Sequence, residues 1–269
     1  MGETTPIRWT DSSWNPMVGC TQISPGCAHC YALRMAERMR GSPAYPHGFD
    51  PEFKPHKLDL PRKWRDPRRI FVNSMSDLYH PAFPDDQVDA VWGVMTDVPR
   101  HTYQLLTKRP ERMADHVLGW LERHGLAEVP PHIWLGASIE ADRFTARADV
   151  LRRIPCPVRF ISAEPLLGPL PSLDLAGIDW LIVGGESGRD YRPMEDDWAR
   201  DLRDRAIGAG VAFFFKQHPG LRSGMGEELD GVGWSQYPEE RPGRRTIHQE
   251  SARGPVPQAA PPARTLWEG

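Results

Sequence analysis

The sequence predicts an α/β fold: a partial or complete (β/α) TIM-like barrel of about six to seven parallel strands, followed by an irregular C-terminal tail. Three observations predict it. Short apolar runs rich in β-formers recur along the chain, and each ends in polar residues. Stretches with helical periodicity lie between them. Runs such as "LIVGG" and "AFFF" are apolar without alternation, as suits strands buried on both faces. Strand and helix in alternation means βαβ units and a parallel sheet. An open doubly wound sheet is the alternative.

The elements follow in order. "DSSWNPMVG" (11–19) supplies a first strand, and "YALRMAERMRG" (31–41) a helix. The six later strands are "RIFVNSMSD" (69–77), "TYQLLTKRP" (102–110), "HIWLGASIE" (132–140), "VRFISAEPL" (158–166), "DWLIVGGES" (179–187) and "AFFFKQHPG" (212–220). "DDQVDAVWGVMTDV" places apolar residues at 88, 91, 94, 95 and 98, one face of a helix. "EADRFTARADVLRRI" and "EDDWARDLRDRAIGAG" read likewise. Asp196 or Asp197 caps the latter, and Gly208 or Gly210 ends it. The barrel domain is read as 1–221. Residues 222–269, rich in Pro, Gly and Arg, read as an extended or disordered tail.

A chain of 269 residues can bury a core without staples. It has no apolar run long enough for a membrane span, and its N-terminus has no signal-peptide pattern. Four cysteines are then not a disulfide framework, and a cytoplasmic location is expected. The net charge of −3 gives no global signature of nucleic-acid binding. Locally, "FKPHKLDLPRKWRDPRRI" (53–70) concentrates Lys and Arg around Trp64, a pattern able to track phosphates. A solvated loop is the plainer reading of such a run.

In parallel α/β folds ligands bind at the carboxyl ends of the strands. Here those ends carry Asn73, Ser74, Asp77, Lys108, Ser138, Glu164, Gly184, Gly185, Glu186 and Lys216. Any one of them has an ordinary structural use, as a helix cap or a surface charge. Six consecutive ends bearing hydrogen-bonding groups point to a polar ligand, since Glu164, Glu186, Lys108 and Lys216 would be costly to bury unpaired.

The first strand leads into "CTQISPGCAHCY", spaced Cys20-x6-Cys27-x2-Cys30. A structural zinc usually takes four protein ligands. His29 lies between two of the cysteines, a poor position for chelating beside both. Cys156 precedes a strand and so belongs at the opposite face of the barrel. Three thiolates on a 4Fe–4S cluster leave one iron open for an amine and a carboxylate, the arrangement S-adenosylmethionine (SAM) uses in radical enzymes. Zinc and plain thiols remain the other readings. A non-catalytic zinc or Fe–S interaction protein, and an Fe–S redox protein that does not use SAM, remain open too.

The blocks "SSWNPMVGCTQISPGCAHCYA", "FVNSMSDLYH", "LLTKRPERM", "WLGASIE", "RFISAEPLLGPL", "DWLIVGGESG" and "FFFKQ" together resemble a bacterial and bacteriophage family of three-cysteine, radical-SAM-like proteins whose domain is of unknown function. The resemblance implies a barrel of the radical SAM type, a 4Fe–4S cluster on Cys20, Cys27 and Cys30, and SAM across the rim. It also implies an electron donor such as flavodoxin or ferredoxin, and a hydrogen-abstraction reaction on an unknown substrate. A nucleotide or nucleic acid is the leading substrate class. Ser138, Glu164 and Glu186 are expected to contact SAM or substrate, Lys108 and Lys216 a carboxylate or phosphate, and His29 or Tyr31 the adenine. Two features depart from the superfamily. The first cysteine gap is six residues rather than three, and Gly184-Gly185-Glu186 comes late in the chain. Asn73, Ser74 and Asp77 are the positional alternatives for the amino-group contact.

Overall fold

The computed structural model describes residues 5–238. Seven parallel strands form one sheet, curled into a half-barrel: β1 (Ser12–Trp14), β4 (Arg69–Val72), β5 (Thr102–Thr107), β6 (Ile133–Ser138), β7 (Arg159–Ala163), β8 (Trp180–Gly184) and β9 (Ala212–Gln217). Their spatial order is their chain order. Two short strands, β2 (Met17–Val18) and β3 (Glu52–Phe53), pair apart from the sheet. The helices are α1 (Tyr31–Arg38), α2 (Leu60–Lys63), α3 (Asp85–Asp97), α4 (Pro110–His124), α5 (Ala146–Arg152) and α6 (Asp196–Gly208). No helix joins β7 to β8. The helix expected after residue 140 begins as a 3-10 turn at Asp142–Phe144, and Glu195 rather than Asp196 or Asp197 precedes α6.

Alternation along the strands sorts their side chains between two cores. Ile70, Val72, Tyr103, Leu105, Leu135, Ile161, Leu181, Phe213 and Phe215 face the helices. Phe71, Phe160, Trp180, Ile182 and Phe214 fill the concave side around Trp9, which arrives from the segment before β1. Trp9 lies 4.6 Å from the Phe71 ring and edge-on to Trp180. The concave side is therefore plugged at its amino end and left open at its carboxyl end.

The tail departs from expectation between 222 and 238. β10 (Glu228–Leu229) and β11 (Val232–Gly233) form a hairpin that turns on Asp230 and Gly231, both at positive φ. Arg200 and Arg203 of α6 clamp Asp230. Trp234 and Gln236 then bond back to β9, the Phe215 amide donating to the Trp234 carbonyl and the Gln236 amide to the Phe213 carbonyl. Tyr237 closes over Trp180 and Phe214. The boundary read at 221 thus falls inside the packed unit, because these aromatic side chains cover the last strand. Residues 239–269 lie outside the described residues.

Candidate functional site

The open end holds a cavity of about 660 Å³. Its inner wall is apolar, from Ile7, Trp9, Phe71 and Leu106. Cys20, Cys27, Cys30 and Tyr31 line it, together with Asn73, Ser74, Asp77, Lys108, Ser138, Glu164 and Lys216. Eleven of the residues singled out in the sequence are therefore brought to one cavity. The other four, His29, Gly184, Gly185 and Glu186, are not among its lining.

The cysteine loop is built between β2 and α1. Gly19 enters it at φ 85°, where a Cβ would meet the Asp50 carbonyl oxygen at 2.2 Å. Only glycine suits that backbone and that approach. Pro25–Cys27 forms a 3-10 turn, and Cys30 sits at the N-cap of α1. Arg109 holds the near end of the loop. Its guanidinium donates to the Thr21 carbonyl at 3.1 Å, lies 3.5 Å from the Cys20 sulfur, and pairs with Asp77 at 2.9 Å. Asp77 in turn accepts from the Thr107 hydroxyl at 2.7 Å. Asp77 is thus a bracket between β4 and β5 more than a free ligand group.

Glu186 holds the far end. It is nearly buried, bonds His29 Nδ1 at 2.9 Å, and is clasped by the Arg192 guanidinium and backbone amide. Burial by itself would raise its carboxyl. The Arg192 and His29 hydrogen bonds outweigh burial and hold it below the usual glutamate value. The two glycines before it serve packing as well. A Cβ on Gly185 would sit 2.3 Å from the Pro219 nitrogen, and one on Gly184 would sit 2.8 Å from a Glu164 carboxylate oxygen. The Gly-Gly-Glu run therefore straps the cysteine loop to the end of β8. His29 is committed to that strap and does not face the cavity with Tyr31. The Tyr31 hydroxyl donates to the Ser74 carbonyl at 2.5 Å.

Two more groups follow from pairing. Lys216 and Glu164 lie 2.8 Å apart across the ends of β9 and β7. Glu140, fully buried, pairs with Arg147 at 3.0 Å and lies under Gly26 of the cysteine loop. Several lining groups keep unused capacity. Trp9 Nε1 and Asn73 Nδ2 are buried with no hydrogen-bond partner among the described residues. Asn73 sits at φ 62°, a conformation asparagine tolerates better than most residues.

The three loop thiols are half-exposed and unpaired by disulfides. Among the described residues, no group of three or more His, Cys, Asp and Glu side chains converges as a single-ion site. A cluster that places each thiolate on a different iron does not require such convergence. Three free thiols at one cavity, on a loop pinned at both ends, suit that donor set. Cys156 lies before β7, at the amino end of the sheet, buried and 3.0 Å from the Val158 carbonyl. Burial pushes its thiol up to about 11.

The basic stretch at 53–70 starts beside β2, where Phe53 pairs with Met17, and runs back to the amino end of the sheet, where β4 begins at Arg69. Arg62 pairs with Asp59 and Asp97, and Arg69 with Asp11. Trp9 stands outside any periodic run and so carries no signal in the sequence, and neither does Arg192, whose role depends on a loop returning to Glu186. Arg109 belongs to the run "TYQLLTKRP" (102–110), where nothing in the sequence separates it from its polar neighbours.

No helix among the described residues is long and apolar enough to cross a membrane. No curated protein and no solved structure matches the chain. A family model described as Protein of unknown function (DUF5131) matches residues 4–238, the whole of the packed unit, and the chain belongs to that family.

Proposed function

We propose that the protein is a radical SAM enzyme that carries a 4Fe–4S cluster on Cys20, Cys27 and Cys30. The observation that carries the reading is the arrangement of the loop: three free thiols and no fourth cysteine line one cavity at the carboxyl end of a parallel half-barrel. Such a cluster, when bound with SAM, supplies the electron that breaks a C–S bond of the sulfonium and gives a 5′-deoxyadenosyl radical for hydrogen abstraction.

The chain's own residues divide the remaining work. Arg109 and the Glu186–His29–Arg192 strap fix the loop at its two ends. The Lys216–Glu164 pair offers a cation for a carboxylate and a carboxylate for an ammonium group, which matches the amino-acid end of SAM. Ser138 adds a hydroxyl at the same cavity. The apolar inner wall excludes water from a reactive carbon radical. An electron donor such as flavodoxin or ferredoxin belongs to the same reading.

The test is anaerobic purification with iron, sulfide and zinc analysis, then electron paramagnetic resonance of the dithionite-reduced protein with and without SAM. About four irons and four sulfides per chain, with a signal that shifts on adding SAM, are expected. One zinc with no sulfide, or a cluster signal indifferent to SAM, would overturn the reading.

A further inference from the structure

The cavity has two chemically distinct parts, and together they define a ligand. Its inner wall is lined by Trp9 and Phe71 beside Ile7 and Leu106. An apolar wall that includes two aromatic side chains suits a flat unsaturated ring.

The mouth is cationic. Arg34, Arg38, Lys108, Arg109, Lys216 and Arg222 line the cavity, against the carboxylates of Asp77 and Glu164. Arg109 pairs with Asp77, Lys216 with Glu164, and Arg34 with Asp190. Arg38, Lys108 and Arg222 have no ion pair among the described residues. Six cations against two carboxylates leave the lining of the cavity net positive, which favours an anionic ligand.

We infer that the substrate is a nucleoside phosphate, with its base against Trp9 and Phe71 and its phosphate at Lys108, Arg38 and Arg222. This deepens the reading of the cavity as the active site and names the substrate class. The basic stretch near Trp64 has no part in it, since that stretch lies at the other end of the sheet. Phosphate at the mouth also leaves the Lys216–Glu164 pair free for a zwitterionic partner.

The experiment is titration calorimetry on the full chain without SAM, with adenosine, guanosine, cytidine and uridine 5′-monophosphates. The matching nucleosides and inorganic phosphate are titrated beside them. At least one monophosphate should bind about tenfold or more tightly than its nucleoside and than phosphate alone. The charge reversals Lys108→Glu and Arg222→Glu should erase that preference and flatten the salt dependence. Lys63→Glu with Arg65→Glu, at the amino end, should leave it unchanged. Circular dichroism identifies any variant that fails to fold. Equal binding of nucleoside and monophosphate, no binding by the folded chain, or loss of binding only in the Lys63/Arg65 variant would each overturn the inference. Iron and sulfide counts on the same preparations separate its failure from that of the cluster reading: a cluster-bearing chain that ignores nucleotides refutes only the substrate, and a zinc-bearing chain that binds them refutes only the radical chemistry.

Discussion

At the scale of single residues, the four cysteines fall into two environments. Cys156 is walled in at the amino end, and its thiol is pushed up to about 11, so it is scarcely ionised at neutral pH. Cys20, Cys27 and Cys30 are half-exposed at the cavity. Under the proposed function, Cys20→Ala, Cys27→Ala and Cys30→Ala each lose most of the iron and sulfide, while Cys156→Ala keeps both. Metal and sulfide analysis of the four variants checks this, and iron loss in Cys156→Ala would place that thiol among the ligands. Glu186 makes a second residue-scale prediction. Replacing it with Gln keeps the shape but removes the charge that faces Arg192 and His29. Arg192 is part-exposed, so solvent screens some of the loss, and about 1–2 kcal/mol of stability is expected to go. Urea unfolding measures that cost. The separate sign of a strap is a cysteine loop that becomes more open to protease or thiol reagents in a chain that remains folded.

At the scale of elements, the strands were the most legible part of the sequence, for a physical reason. A parallel strand covered on both faces must be apolar along its whole length, and the six runs named in order all became neighbours in one sheet. Helix limits were less legible. The chain after residue 140 begins with a 3-10 turn because Asp142 bonds the Ser172 amide and hydroxyl, a partner thirty residues away in sequence. The same distinction explains the glycines. Gly-Gly-Glu reads in sequence as an opening for a ligand, yet Gly185 is small because the chain after β9 passes against it. Gly185→Ala should therefore cost about 2 kcal/mol or more, since backbone and a proline ring must shift to admit the methyl group. Gly184→Ala meets mainly the end of the Glu164 side chain, so it should cost less stability and disturb the cavity more. Thermal unfolding of the pair, with ligand titrations of each, separates the two roles. Equal stability losses would argue against this account.

At the scale of the whole molecule, the half-barrel is completed by its two ends. Trp9 enters from one terminus and Trp234 and Tyr237 from the other, and Tyr237 donates to the Arg8 carbonyl while the Arg69 guanidinium lies 4.0 Å over its ring. Composition alone hid this, because the aromatic residues at 234 and 237 are set among turn-formers. A chain ending at 221 would uncover Phe213, Phe214 and Trp180, at a cost of about 5 kcal/mol or more, whereas one ending at 238 keeps that cover. Solubility and unfolding of the two truncations test the boundary. Acid sensitivity is also a property of the whole. Burial lowers the affinity of His80, His116 and His132 for a proton in the folded chain. In the unfolded chain each returns to about 6.5. Between the two values the unfolded state binds more protons, so stability must rise with pH there. The contribution is complete above about pH 6.5 and is lost as the pH falls below it. The melting temperature should therefore hold between pH 7 and 8 and decline through pH 6 to 5, before the carboxylates titrate. His116→Gln should shallow that decline, because His116 packs against the Tyr79 and Trp92 rings and its proton affinity is lowered by burial. A wild-type melting temperature that stays flat down to pH 5 would mean the three rings are as easily protonated inside the fold as outside it.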